Sequence, residues 1–115
     1  MSLDVYLRME LDTGGAEPYE AQLFSDNVTH NLAGMAEEAG IYEHLWRPDE
    51  LGITVAGDLV APLRAGLALL EAEPGRFRAK NPSNGWGDYC GFVEFVQKYL
   101  AACKAHPKAT IRVWR

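Results

Sequence analysis

Residues 3–11 alternate between apolar and polar side chains almost without a break. Leu3, Val5, Leu7, Met9 and Leu11 fall on one side, and Asp4, Tyr6, Arg8 and Glu10 on the other. A period of two is that of a β-strand with one buried face, so the rest of the chain must supply a layer that covers this face. Asp12-Thr13-Gly14-Gly15 provides turn residues, and Tyr19-Glu20-Ala21-Gln22-Leu23 resumes a weaker alternation. The pattern predicts a β-hairpin, with Pro18 marking the second strand as an edge or as just beginning. Thr110 to Trp114 alternates again and predicts a terminal strand.

Between these strands the apolar period changes to that of helices. Ser25, Asp26 and Asn27 are competent N-caps, and Val28, Leu32, Met35, Ala36 and Ala39 then recur at helical spacing up to Gly40, which predicts a helix over 27–39. Residues 41–46 fit one further turn that Pro48 prevents from continuing. Leu59, Leu63, Gly66, Leu67 and Leu70 predict a second helix over 56–73, in which Pro62 must either lie in the first turn or impose a kink. A turn at Glu73-Pro74-Gly75, a short segment bearing Phe77 and a loop over 81–85 precede a last helix over 88–105. That helix places Tyr89, Phe92, Val93, Val96, Leu100 and Cys103 on one face and ends at His106-Pro107. The predicted order is β-β-α-α-α-β, an α+β fold with a small three-stranded sheet packed on one face by helices.

A chain of 115 residues without repeats or linkers predicts a single domain over 1–115, long enough to bury a core without disulfides or a metal. No apolar run reaches the roughly 20 residues of a membrane span, and the first residues lack the pattern of a signal peptide, so a soluble cytoplasmic protein is the expectation. Cys90 and Cys103 on one helix would stand about 20 Å apart, which predicts free thiols. The net charge is −5, with eleven acids against two bases in residues 1–55 and five acids against nine bases in 56–115. An acidic total argues against duplex nucleic acid as partner. The run Arg76, Arg78, Lys80 reads either as a solvated loop or as a seat for one small anion.

Candidate functional residues fall in three islands: Asn27 to Asn31, Leu45 to Asp49, and Asn81 to Gly87. On a helix over 27–39, Asn27, Asn31, Gly34 and Glu38 share a stripe with His30 beside it. This is a shallow polar groove whose first-turn N–H groups would favour an anion; equally, Asn27 could cap the helix while Gly34 admits a neighbour. His30 as a general base needs an orienting partner, and Glu37 is two turns away, which leaves a distant carboxylate such as Asp49 or Asp88. His30, His44, Cys90, Cys103 and His106 form neither an H-x-x-x-H nor a C-x-x-C pair, so no metal and no cofactor are expected. Trp46-Arg47-Pro48-Asp49 suits a core-edge indole with a bonded guanidinium. Glycines on both sides of Trp86 either free its indole to stack on a planar ligand or form a tight turn that buries it.

The stretches N-V-T-H-N-L, L-W-R-P-D and N-P-S-N-G-W-G resemble those of a family of small bacterial and phage proteins for which no activity is established. The resemblance covers most of the chain and implies a cytosolic, phage-linked context without a mechanism. The leading expectation is a non-enzymatic binding module for a polar, anionic or nucleotide-like ligand, of the kind that sequesters it, with Asn27, His30, Asn31, Trp46, Arg47, Asn81, Asn84 and Trp86 as binding residues. A protein-interaction domain that pairs with another protein or with its own copy is the alternative, and a small hydrolase using His30 the third reading.

Overall fold

The computed structural model describes residues 2–11, 14–15 and 19–115. Strand β1 (Ser2–Leu11) pairs antiparallel with β2 (Tyr19–Thr29) on one side and with β3 (Thr110–Trp114) on the other, giving the order β2-β1-β3. The alternation in β1 has the expected result at its first half, where Leu3, Val5 and Leu7 are fully buried. Its second half outruns the helical layer: β3 reaches only to the partner of Arg8, and Leu11 is 43% exposed. Of the expected hairpin turn, Asp12 and Thr13, and with them Pro18, lie outside the described residues. β2 is an edge strand, as its neighbour proline suggested.

The expected helix over 27–39 is corrected by the structure. β2 continues to Thr29, with Asn27 opposite Asp4, Val28 opposite Leu3 and Thr29 opposite Ser2. Pairing Val28 with the buried Leu3 fills a strand site suited to a β-branched residue, and this outweighs the capping preference of Ser25, Asp26 and Asn27. The turn into helix is made by Thr29, whose Oγ1 accepts from the Asn31 N–H at 3.3 Å ahead of a 3-10 turn at His30–Leu32. The α-helix proper, α1, is Ala33–Glu38. Asn27 therefore shares no helical stripe with Asn31, and the first-turn anion groove read from that stripe does not form.

Helix α2 (Tyr42–Trp46) ends before Pro48, which opens a second 3-10 turn at Pro48–Leu51. Helix α3 (Gly57–Ala72) contains Pro62, whose missing N–H leaves the Asp58 carbonyl without its helical partner close to the helix start. α3 meets the chain before α2 at Gly66, where a Cβ would stand 2.5 Å from Ile41 Cγ2, so the glycine is what permits the contact. The segment read as a turn plus a short Phe77 stretch is a helix, α4 (Pro74–Arg78). Pro74 occupies its first turn, where a missing N–H costs nothing, and Phe77 is buried. Helix α5 (Tyr89–Ala105) packs on α3 and β2 and buries the expected stripe, with Phe95 and Tyr99 added and Val93 only half-buried. One continuous cluster joins Leu3, Val5 and Leu7 to Leu63, Leu70, Phe92 and Val96. The helices thus cover one face of the sheet. No helix among the described residues is long and apolar enough to cross a membrane.

Candidate functional site

The first and third islands meet at one corner of the sheet. Ser2 from β1, Asn27 and Thr29 from the end of β2, Asn31 from the 3-10 turn, and Asn84 and Trp86 from the loop before α5 line an open depression of about 530 Å³. A second depression continues from it past Asn27 and Thr29 to Asn81, Gly87, Asp88 and Gly91. The two share Asn27 and Thr29 as a common wall and lie between the strand end and the loop, a region we call the cleft.

The loop is held in place from both sides. Asn81 Oδ1 accepts from the Tyr89 N–H at 2.8 Å, and Asp88 caps α5 by accepting from the Gly91 N–H at 2.7 Å. Tyr89 donates its hydroxyl to the Leu70 carbonyl at 2.7 Å, which fastens α5 to the end of α3. Within the loop, Asn84 Oδ1 accepts from the Trp86 N–H at 2.9 Å, the local turn that asparagine favours. Gly85 and Gly87 both take positive φ, at +76° and +88°. Gly87 also lies so close to the opposite wall that a Cβ would stand 2.6 Å from Thr29 Cγ2 and 3.1 Å from Leu32 Cδ1. The preceding residue, Trp86, is 70% exposed.

The chemistry of the cleft is neutral and bifunctional. Asn27 and Asn31 make no side-chain hydrogen bond among the described residues, so each offers a carbonyl oxygen and an NH₂ group. Among the described residues Asp88 is the one charged residue on the rim, and none of those that line either depression is a lysine or arginine. Of the cations expected to draw an anion, the two arginines are engaged elsewhere, and Lys80, which makes no ion pair among the described residues, lines neither depression. Arg76 pairs with Glu38 at 2.7 Å and Glu73 at 3.0 Å, and Arg78 lies over the Tyr89 ring at 5.1 Å. Arg76 holds the Glu38 carboxyl below the usual carboxylate range, first through their hydrogen bond.

No family model, curated protein or solved structure matches the chain.

Of the residues singled out in the sequence, Asn27, Asn31, Asn81, Asn84 and Trp86 line the cleft. The second island stays outside it. Trp46 is 3% exposed, stacked on Tyr42 at 5.3 Å and tilted against His30 at 6.2 Å, so it belongs to the core edge. Arg47 donates to Glu50 at 2.8 Å and to the Tyr42 hydroxyl at 3.4 Å, and both contacts raise its pKa further. Asp49 instead binds Arg115 at 2.8 Å, which depresses the aspartate pKa. His30 is half-buried against Trp46, and its Nε2 is buried with no hydrogen-bond partner among the described residues. Neither Asp49 nor Asp88 orients the ring. Thr29 and Ser2 were not singled out as ligand residues. Pairing Ser2 with Thr29 on the sheet's uncovered face gives them that place, and no local pattern carries that register.

Proposed function

We propose that the protein is a non-catalytic binding module for a small, planar, uncharged ligand of nucleobase type, which it sequesters in the cleft between Asn27–Asn31 and Asn81–Trp86. The observation that carries this is the juxtaposition of an indole 70% exposed with the carboxamides of Asn27 and Asn31, which have no hydrogen-bond partner among the described residues. A large exposed aromatic beside two solvent-facing carboxamides that no protein group engages can exchange water for the face and edge of a planar ligand. The aromatic face supplies stacking, and each carboxamide can match a donor–acceptor edge, as asparagine does with adenine. With Asp88 on the rim and no lining cation, the geometry favours an uncharged base over the phosphate of a nucleotide.

Titration with nucleosides and their 5′-monophosphates, followed by tryptophan fluorescence and calorimetry, tests this. Nucleosides are expected to quench Trp86 emission and to bind no more weakly than their monophosphates. Trp86→Ala should lose the binding while remaining folded. Failure of every nucleoside and free base to bind would refute the reading.

The interaction-domain alternative keeps one observation of its own. Leu11 and Tyr19 face each other across the far end of the β1–β2 hairpin at 43% and 61% exposure. Sedimentation over a range of concentrations distinguishes this reading, since self-association through the hairpin should vanish in Tyr19→Ser and leave the cleft's ligand affinity intact.

A further inference from the structure

The cleft opens onto the face of the sheet that the helices leave uncovered. Leu3, Val5 and Leu7 point into the core, so Asp4, Tyr6 and Arg8 point the other way. Paired residues on antiparallel strands share a face. Trp114 and Asn27 therefore flank Asp4, and Arg112 and Ser25 flank Tyr6. Trp114 is 68% exposed, so the two most exposed large apolar side chains among the described residues, Trp86 and Trp114, border the same face. Two strand spacings, ~10 Å, separate the backbones of Trp114 and Asn27, and Trp86 lies beside Asn27 in the cleft. Arg112 makes no ion pair among the described residues. Arg8 lies over the Tyr6 ring at 5.2 Å and reaches Glu20 only at 3.9 Å.

We propose that this face binds single-stranded nucleic acid, with one base in the cleft against Trp86, a neighbouring base on Trp114, and the phosphates that flank this pair at Arg112 and Arg8, one and two rows along the sheet from Asp4. The proposal rests on the cleft's taking a nucleobase and extends it from one base to a strand. Open antiparallel sheets with aromatics and arginines on the free face stack unpaired bases, because every base has a π-face while the guanidinium follows the backbone. The row between the indoles is polar, Asp4 and Asn27, which suits amino-bearing base edges. The core of a protein interface is depleted of charged residues, whereas this face carries Asp4, Arg8 and Arg112 through its middle. The acids Asp4, Glu10 and Glu20 on the same face, and the net charge of −5, oppose the dense phosphate of a duplex more than the single phosphates of a short strand.

Fluorescence anisotropy of labelled mixed-sequence DNA and RNA octamers, alongside titration with free nucleosides, tests the extension on wild type, Trp86→Ala, Trp114→Ala and Arg112→Gln. At least one octamer type should bind roughly tenfold or more tighter than any nucleoside. Trp114→Ala should weaken the octamer at least about fivefold and leave nucleoside affinity unchanged. Arg112→Gln should reduce the slope of log affinity against log salt by about 0.7. Both side chains are exposed, and circular dichroism verifies that the variants fold. Octamers that bind no more tightly than nucleosides, or that ignore Trp114→Ala, overturn the strand proposal and leave the cleft reading in place. Loss of both octamer and nucleoside binding in wild type overturns the two together.

Discussion

Replacing Gly87 by alanine tests how the cleft is built, and Gly85 provides the control. Both glycines have positive φ, +88° and +76°, so each substitution incurs the left-handed penalty of about 1–2 kcal/mol. They differ in surroundings. A Cβ at Gly85 meets nothing within 4 Å, whereas at Gly87 it would stand 2.6 Å from Thr29 Cγ2 and 3.1 Å from Leu32 Cδ1. Thr29 cannot turn aside freely, because its Oγ1 accepts from Asn31 N–H and its β-branched side chain has few rotamers. Leu32 is buried. Crowding of this kind costs a further ~1–3 kcal/mol. Gly87→Ala should therefore be less stable than Gly85→Ala by that second amount in urea unfolding, unless the loop lifts from the strand end. If it lifts, the stability difference shrinks but Trp86 emission shifts and the cleft loses its ligand. Equal unfolding free energies for the two variants, with unchanged Trp86 emission, would refute the account of how the third island is seated.

Leu63 is fully buried at the centre of the α3 stripe, and Leu63→Ala should destabilise the fold by roughly 2–5 kcal/mol in denaturant, a loss below about 0.5 kcal/mol being inconsistent with its place in the core. Tyr99 is buried with its hydroxyl lacking a hydrogen-bond partner among the described residues, and burial also raises its pKa. Tyr99→Phe should accordingly leave stability unchanged or increase it by ~1 kcal/mol, and a thermal shift downward would show that the hydroxyl is satisfied. Of the two free thiols, Cys90 is exposed while burial pushes the Cys103 thiol up to about 12. Titration with a thiol reagent at pH 8 should count one reactive group in the native protein and a second only on unfolding. Arg47→Ala should leave ligand affinity in the cleft unchanged, because its guanidinium is directed to Glu50 and Tyr42; weakened binding with an intact fold would restore Arg47 to the site.

The sequence by itself determined the elements whose signal is periodic and local. The alternation of β1, the stripes of α3 and α5, and the stop at Pro48 all follow from side chains within a few residues of one another, and the structure has them within a residue or two. It determined as well that the third island is a loop turning at glycines, since positive φ at Gly85 and Gly87 needs no distant partner. Tertiary structure alone decided the rest. Residues 25–28 carry capping and helical signals as good as those of a real helix, yet they extend β2, because Val28 gains a buried partner in Leu3 only once β1 lies beside it. The fate of the islands was decided the same way. Asn27, Asn31, Asn84 and Trp86 share a cleft because Thr29 pairs with Ser2 and Gly87 fits against Thr29, while Trp46 and Arg47 turn to Tyr42 and Glu50. Composition marks where polar and aromatic residues are concentrated. Which of them face one another depends on strand register and loop contact between residues nearly sixty positions apart, for which a single sequence holds no local signal.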